Sequence, residues 1–250
     1  MTPENIQAVE PEPSGMSAVS RLTGVFFEPK KTFEDIAARP SALLPMILVI
    51  VCAIVYSVTL SQHIGFDRLM RHQFENNQRM QQMSPEQREQ AVGMATKFAQ
   101  VAAYVGPVIG VPIYYLILSA LLLGIAGGIM SAGVKFKQVF AIVAYAGLPG
   151  VIFSILAIAV VFLKNPDDFN MENPLAFNPA AFMDPLTSSK FVYAIASSID
   201  LFAIWTLLLT ATGLKAAAGK KLSFGGALFC VFLPWVIFTL IKASLAGLRS

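Results

Sequence analysis

The chain has 250 residues, of which 56% are hydrophobic and only 13% are charged, whereas about a quarter of the residues of an ordinary soluble domain are charged. Its mean hydropathy is +0.65. This composition excludes a soluble globular domain and indicates an integral membrane protein in contact with a lipid bilayer. The formal net charge of +3 is too small to indicate a nucleic-acid-binding protein.

The first forty residues divide into two parts. Residues 1–16 are polar and contain three prolines, so we expect a disordered tail without a cleavable signal peptide. Residues 17–40 carry apolar side chains at helical spacing around Glu28-Pro29, among them Phe26, Phe27 and Phe33. Two interpretations remain open: an amphipathic interfacial segment lying on the membrane, or one that packs on the protein's own helices.

Five segments of 20 or more residues contain no charged side chain other than that of Asp200. Each can cross a hydrocarbon core of roughly 30 Å at about 1.5 Å per residue. Because none shows the alternation of a barrel strand, helices are the remaining interpretation. We therefore predict an all-α polytopic membrane protein in which residues 41–248 form a bundle of five transmembrane helices. The predicted spans are residues 42–62, 99–130, 138–163, 191–214 and 222–242.

Residues 63–97 are polar with spaced apolar side chains, which predicts a helical loop outside the bilayer. Ser84, Pro85 and Gln87 indicate a helix start with a capping box. His63 and His72 each have a charged residue one helical turn away, a pattern more typical of a solvated helix than of a metal site. We expect neither a metal nor another cofactor.

The second span carries glycines four residues apart, a spacing typical of close contacts between transmembrane helices. The pairs are Gly106 with Gly110 and Gly124 with Gly128. Pro149, between two glycines of the third span, predicts a kink. Kinked, glycine-lined helices can also frame a solute path, so transport stays an alternative.

An Asn-Pro-x-x-Phe unit occurs three times between the third and fourth spans, starting at residues 165, 173 and 178. An Asn cap followed by Pro predicts a helical turn in each unit. Phe169, Phe177 and Phe182 would then lie on the outer membrane surface or over the top of the bundle. An ordinary Pro-rich loop is the alternative.

Short loops rich in lysine favour the cytoplasm, and two such loops lie around Lys137 and Lys220. We therefore predict a cytoplasmic N-terminus and an outer C-terminus. No phosphate-binding loop, paired intramembrane carboxylates or zinc motif is present in the sequence, so an enzyme is not expected. Cys52 and Cys230 lie in different spans and are predicted to be small buried apolar residues.

Asp200 is the one acidic residue within a predicted span. An ionised carboxylate facing lipid would cost several kcal/mol, so we expect Asp200 to face the bundle interior, to be protonated, or both, and to hydrogen-bond across helices. Ser197 lies one turn before it and Trp205 is predicted to pack one turn deeper. The predicted partners at comparable depth on other helices are Tyr56, Tyr104 and Lys242. A structural role is favoured over a proton-titrating or cation-binding one.

Three stretches, FFEPKKTFEDIAARP, GVKFKQVFAIVAYAGLP and SSIDLFAIWTLLLTATGL, resemble the Yip1 family in its bacterial form. The resemblance implies five spanning helices, a cytoplasmic N-terminus and, for a bacterial member, the cytoplasmic (inner) membrane. Eukaryotic relatives bind Rab-type GTPases through a longer N-terminal segment, which this chain lacks, so GTPase binding is not carried over.

Two functions are compatible with these features. The first is a non-enzymatic membrane scaffold, or an assembly or trafficking-type factor, that contacts itself as a homo-oligomer or contacts another membrane protein. The second is a small transporter, channel or permease-associated subunit with Asp200 in the solute or proton path.

Overall fold

The computed structural model of the protein describes residues 15–75, 78–166, 169–170, 173–184 and 187–248. Residues 1–14 of the predicted disordered tail lie outside this part. Every regular element within the described residues is helical, as predicted. The α-helices in chain order are α1 (Ala18–Phe27), α2 (Pro29–Ala38), α3 (Leu43–His63), α4 (Phe66–Glu75), α5 (Gln78–Gln81), α6 (Pro85–Leu123), α7 (Phe136–Ala146), α8 (Pro149–Leu163), α9 (Lys190–Ser198), α10 (Leu201–Ala218) and α11 (Phe224–Gly247).

Five helical stretches are long and apolar enough to cross a membrane, which confirms the predicted number of spans. They are Leu43–His63, Pro85–Ile129, Phe136–Leu163, Leu201–Lys221 and Phe224–Gly247. The second stretch extends beyond the predicted 99–130 because α6 starts in the polar loop and continues without a break. The fourth starts ten residues later than predicted, because the chain leaves the helical path just before Leu201.

Helix α6 begins with the predicted capping box. The Ser84 hydroxyl accepts a hydrogen bond from the Gln87 backbone N–H at 3.3 Å, and Gln87 Oε1 accepts one from the Ser84 N–H at 3.2 Å. The helix passes through Pro107 and Pro112 and ends in a π-helical turn, Gly124–Ile129. This single element of 45 residues therefore joins the polar loop after α3 to the opposite end of the bundle.

Helices α1 and α2 form a hairpin that packs on the protein's own helices α7 and α10. Val25, Phe33 and Ile36 are fully buried there, and the ring centroid of Phe26 lies 5.3 Å from that of Trp205. The structure thus adopts the second of the two interpretations for residues 17–40. Phe27 is the exception, since 84% of it is exposed.

A buried ion-pair cluster fixes the open end of this hairpin. Arg21 is only 5% exposed, and its Nε donates to Asp35 Oδ2 at 2.7 Å. The same guanidinium donates to the Arg39 carbonyl at 2.9 Å and to Ser41 Oγ at 3.0 Å. Burial alone would raise the pKa of Asp35, but hydrogen bonds from Arg21 and the Met16 N–H, with the charges of Arg21 and Arg39, leave it below its ordinary value. The hairpin is thereby tied to the start of α3.

Gly213 of α10 lies against side chains of α2 and α7. A Cβ at this position would overlap Ile142 Cγ2 and lie 3.0 Å from Phe33 Cδ1. A larger residue therefore requires the Ile142 side chain to move, and glycine fits without such a shift.

The opposite end of the bundle carries charged side chains from α4 and α6. Arg71 forms ion pairs with Asp67 at 2.8 Å and with Glu89 at 2.7 Å. The His63 ring packs against Phe162 with a centroid distance of 4.1 Å. Within the described residues, no three His, Cys, Asp or Glu side chains are grouped closely enough to hold a metal ion.

Candidate functional site at the break in the fourth span

Asp200 lies in a break between α9 and α10 rather than inside a continuous helix. Its backbone is extended (φ −93°, ψ 144°) and it is the N-cap of α10. The carboxylate Oδ1 accepts hydrogen bonds from the backbone N–H groups of Phe202 at 2.9 Å and Ala203 at 3.4 Å. This corrects the prediction that Asp200 bonds across helices: the carboxylate satisfies N–H groups that the start of its own helix leaves unpaired.

Local sequence explains why the helix breaks here. The hydroxyls of Ser197 and Ser198 both donate to the Ala194 carbonyl, at 3.2 and 2.7 Å, and Ile199 has non-helical angles (φ −83°, ψ 59°). Serine and aspartate side chains compete with the helical backbone for hydrogen bonds. The order Ser-Ser-Ile-Asp before an apolar run was therefore a readable helix-start signal that the prediction of one continuous span missed.

Lys242 reaches this break from α11. Its Nζ donates to Ser198 Oγ at 3.3 Å, so its described hydrogen bond is to a serine two residues before Asp200 and not to the carboxylate. The fourth and fifth spans are thus joined by a polar contact at the break.

The loop between the third and fourth spans covers the break. The Phe177 carbonyl accepts a hydrogen bond from the Leu201 N–H at 3.1 Å. The Phe202 ring lies between those of Phe153 and Phe177, with centroid distances of 5.6 and 5.9 Å. The side chains of Asn173 and Asn178 donate to each other, at 3.1 and 2.8 Å. One backbone bond and one aromatic contact, both made by Phe177, therefore hold the loop on the start of α10.

The Asn-Pro-x-x-Phe units do not all adopt the predicted turn. The last forms a 3₁₀ helix, Pro179–Phe182, although Asn178 does not cap it with its side chain, and the first includes residues 167–168, which lie outside the described residues. Phe169 is buried in a cluster with side chains of α3, α4 and α6, whereas Phe182 is 95% exposed. The middle unit is not helical, because the Asn173 side chain bonds to Asn178 and to the Ala176 N–H instead of capping a turn.

The remaining predicted members of the polar site are not brought to Asp200. Tyr56 packs against the cluster around Leu60 and Ile64, and Tyr104 is exposed on α6. Trp205 packs against Phe26 of the hairpin instead of supporting a cross-helix contact of Asp200. Of the predicted set, only Ser197 and Lys242 lie at the break.

The predicted helix-packing glycines have open surroundings in this chain. A Cβ at Gly106, Gly110, Gly124 or Gly128 would have no neighbouring atom within 4 Å beyond its own helix backbone. Pro149, by contrast, is buried and starts α8 after the break at Gly147-Leu148. The glycines of α6 therefore do not form helix contacts within the chain.

Two cavities, each of about 290 Å³, lie at opposite ends of the bundle. The first lies between α4 and the loop after α8, and its lining includes Asp67, Arg68 and Phe169. The other lies where α3 and α7 begin and is mainly apolar. Asp200 lines neither cavity.

A comparison with protein-family models classifies this helical chain with five spans. The Yip1 domain model matches residues 23–245. The chain belongs to the Yip1 family. The match starts inside α1 and ends inside α11, so this Yip1 domain includes the hairpin together with all five spans.

A curated relative is also described as a membrane protein. The chain is 26% identical to membrane protein YknW of Bacillus subtilis (strain 168) over 230 residues, which cover 90% of this chain and 92% of that protein. No solved structure matches this Yip1-family chain.

Proposed function

We propose that this Yip1-family protein is a non-enzymatic membrane scaffold or assembly factor that contacts a second copy or another membrane protein through α6. The observation that carries the proposal is one exposed, glycine-containing face of this helix. The face follows helical spacing, and its members are Gly106, Gly110, Ile113, Ile117, Leu121, Gly124 and Gly128.

This face has the features of an unoccupied helix-packing surface. Glycine allows a neighbouring backbone to approach closely, and dispersion contacts drive helix association in lipid. Ile113, Ile117 and Leu121 are exposed between the two glycine pairs. A groove with apolar side chains between its ends can therefore accept another transmembrane helix.

The transport alternative requires several polar groups facing one cavity at neighbouring depths. The hydrogen bonds described for Asp200 go to its own helix, and the two cavities described above are lined by other residues. A satisfied carboxylate and an exposed small-residue face agree better with a scaffold. We also infer residence in a bacterial cytoplasmic membrane with the N-terminus inside.

Site-specific photo-crosslinking tests the contact. A photoreactive amino acid at Ile117, which is 64% exposed on the α6 face, should give discrete protein adducts in intact membranes. The matched control is Ile155, which is 57% exposed on α8 and should give lipid adducts without a discrete protein band. Equal protein adducts at the two positions, or none at Ile117, would contradict the proposal.

Glycine substitutions distinguish close packing from simple proximity. We expect Gly110→Leu to abolish the Ile117 adduct, because the added side chain would hold the partner helix away. Gly150→Leu is the control, since Gly150 has equally open surroundings on α8. An adduct that persists in Gly110→Leu would indicate an encounter without helix packing.

A further inference from the structure

The cavity at the start of α3 and α7 has features that the scaffold proposal does not use. Its volume is about 290 Å³, and its lining includes Leu43, Met46 and Phe140 together with the polar residues Ser41 and Lys137. Two membrane spans begin here, at Leu43 and Phe136. The groove therefore lies at the level where the hydrocarbon core meets the lipid headgroups.

The lining combines an apolar wall with positive charge at its edge. Leu43 is exposed, while Met46 and Phe140 pack against the main core. Lys137 is exposed, and the described ion pairs of this end of the chain do not involve its ammonium group. No carboxylate is among the residues that line this cavity.

Ser41 adds a hydrogen-bond donor beside Lys137. Its Oγ accepts a hydrogen bond from Arg21 Nη1 at 3.0 Å, so the hydroxyl hydrogen is directed elsewhere and can be donated to a ligand. Arg21 itself is held by Asp35. The Ser41 hydroxyl is thus fixed in position by a buried guanidinium.

We propose that this groove binds an anionic phospholipid, with its headgroup phosphate on Lys137 and Ser41 and part of one acyl chain against Leu43, Met46 and Phe140. The positive charge of Lys137 at the edge of the groove favours a lipid whose phosphate is not neutralised by a positive group in the same headgroup. The volume is at the low end of small-molecule pockets, so it holds a stretch of acyl chain and not a whole lipid. The headgroup phosphate and the acyl chain therefore both have binding partners at the depth where such a lipid lies in the bilayer.

The test is a titration of phosphatidylglycerol and phosphatidylcholine into the detergent-solubilised full-length protein, followed by native mass spectrometry. We expect tighter binding of phosphatidylglycerol, and Lys137→Ala should weaken it roughly tenfold, because a charge-assisted hydrogen bond is lost. Lys220→Ala is the matched control: it removes a positive charge from the same end of the bundle, outside the groove, and should leave the affinity unchanged.

Two further measurements keep the assignment specific. Leu43→Ser should weaken the binding of both lipids and leave the ratio of their affinities unchanged, because it removes apolar lining from an exposed position. A photoreactive leucine at position 43 should yield a lipid adduct in vesicles that contain phosphatidylglycerol. Equal effects of Lys137→Ala and Lys220→Ala, equal affinity for the two lipids, or a crosslink from position 43 to residues 1–14 would overturn the proposal.

Discussion

A carboxylate among apolar side chains needs hydrogen-bond donors, and Asp200 finds them in the backbone of its own helix. The Phe202 and Ala203 N–H groups point at Oδ1, and the positive end of the α10 dipole favours the negative charge. The side chain therefore starts a helix and does not have to join two helices.

Substitutions of Asp200 separate capping from charge. Asp200→Asn should change the free energy of unfolding by only a few tenths of a kcal/mol, because asparagine caps a helix about as well as aspartate. Asp200→Leu should lower the free energy of unfolding by about 1 kcal/mol. Unfolding in sodium dodecyl sulfate titrations measures both. If the well-folded Asn variant lost a proton-coupled or cation-dependent activity, the titrating role of Asp200 would gain support over the structural one.

Gly213 is a second residue whose importance depends on its neighbours. Gly213→Ala would force apart Ile142 and Phe33, and we expect a loss of about 1–3 kcal/mol from overpacking. Gly150→Ala, where a Cβ meets open space, should be neutral or slightly stabilising. Thermal unfolding in detergent compares the two; equal behaviour would mean that α2 is not held tightly against α7 and α10.

Among the elements, the α1–α2 hairpin depends on polar contacts as much as on its apolar face. Phe33 and Ile36 are buried against α7 and α10, while Arg21, Asp35 and Arg39 close the open end. Breaking a buried ion pair leaves an uncompensated charge, which is more damaging than the loss of a surface pair. The hairpin is thus packed into the bundle as one of its elements, although its sequence also resembles an amphipathic segment that lies on a membrane surface.

The hairpin cluster should make stability depend on pH. Because the folded-state pKa of Asp35 lies below its ordinary value of 3.8, its stabilisation is complete above pH 3.8 and is lost as the pH falls through 3.8 toward the lowered pKa. Asp35→Asn should remove that dependence and cost about 3 kcal/mol at neutral pH. Unfolding measured from pH 7 to pH 3 tests both, with Glu34→Gln on the exposed face of the same helix as the control. The same acid sensitivity in native and Asp35→Asn protein would assign it to other carboxyl groups.

In the molecule as a whole, the lysines cluster at one end of the bundle, whereas the exposed apolar face of α6 runs along its length. Lysines at 135, 137, 215, 220 and 221 lie near one end of the bundle, which is the basis for the predicted cytoplasmic N-terminus. The open face of α6 is apolar along its length. The predicted orientation and the proposed partner contact therefore rest on separate parts of the surface.

Single cysteines at two exposed positions test the orientation. In a background without Cys52 and Cys230, a cysteine replacing Phe182 should react with a membrane-impermeant reagent in intact cells, and one replacing Lys220 should react only after lysis. Both positions are exposed, so access to the reagent depends on the side of the membrane. The reverse pattern would place the N-terminus outside.

The pattern of residues alone predicts a helical membrane protein with five spans, because only long uncharged segments with internally paired backbones can cross a bilayer. It also determined the start of α6, since Ser84, Pro85 and Gln87 act within one helical turn. Other features depend on contacts between residues that are distant in the chain, and these are seen only in the folded structure. They are the burial of the hairpin against Trp205 and Gly213, the hydrogen bond between Leu201 and Phe177 that holds the loop, and the open surroundings of the α6 glycines. Amphipathic spacing identifies an apolar face, but the same face can pack on lipid or on protein, and only the arrangement of the neighbouring helices distinguishes the two.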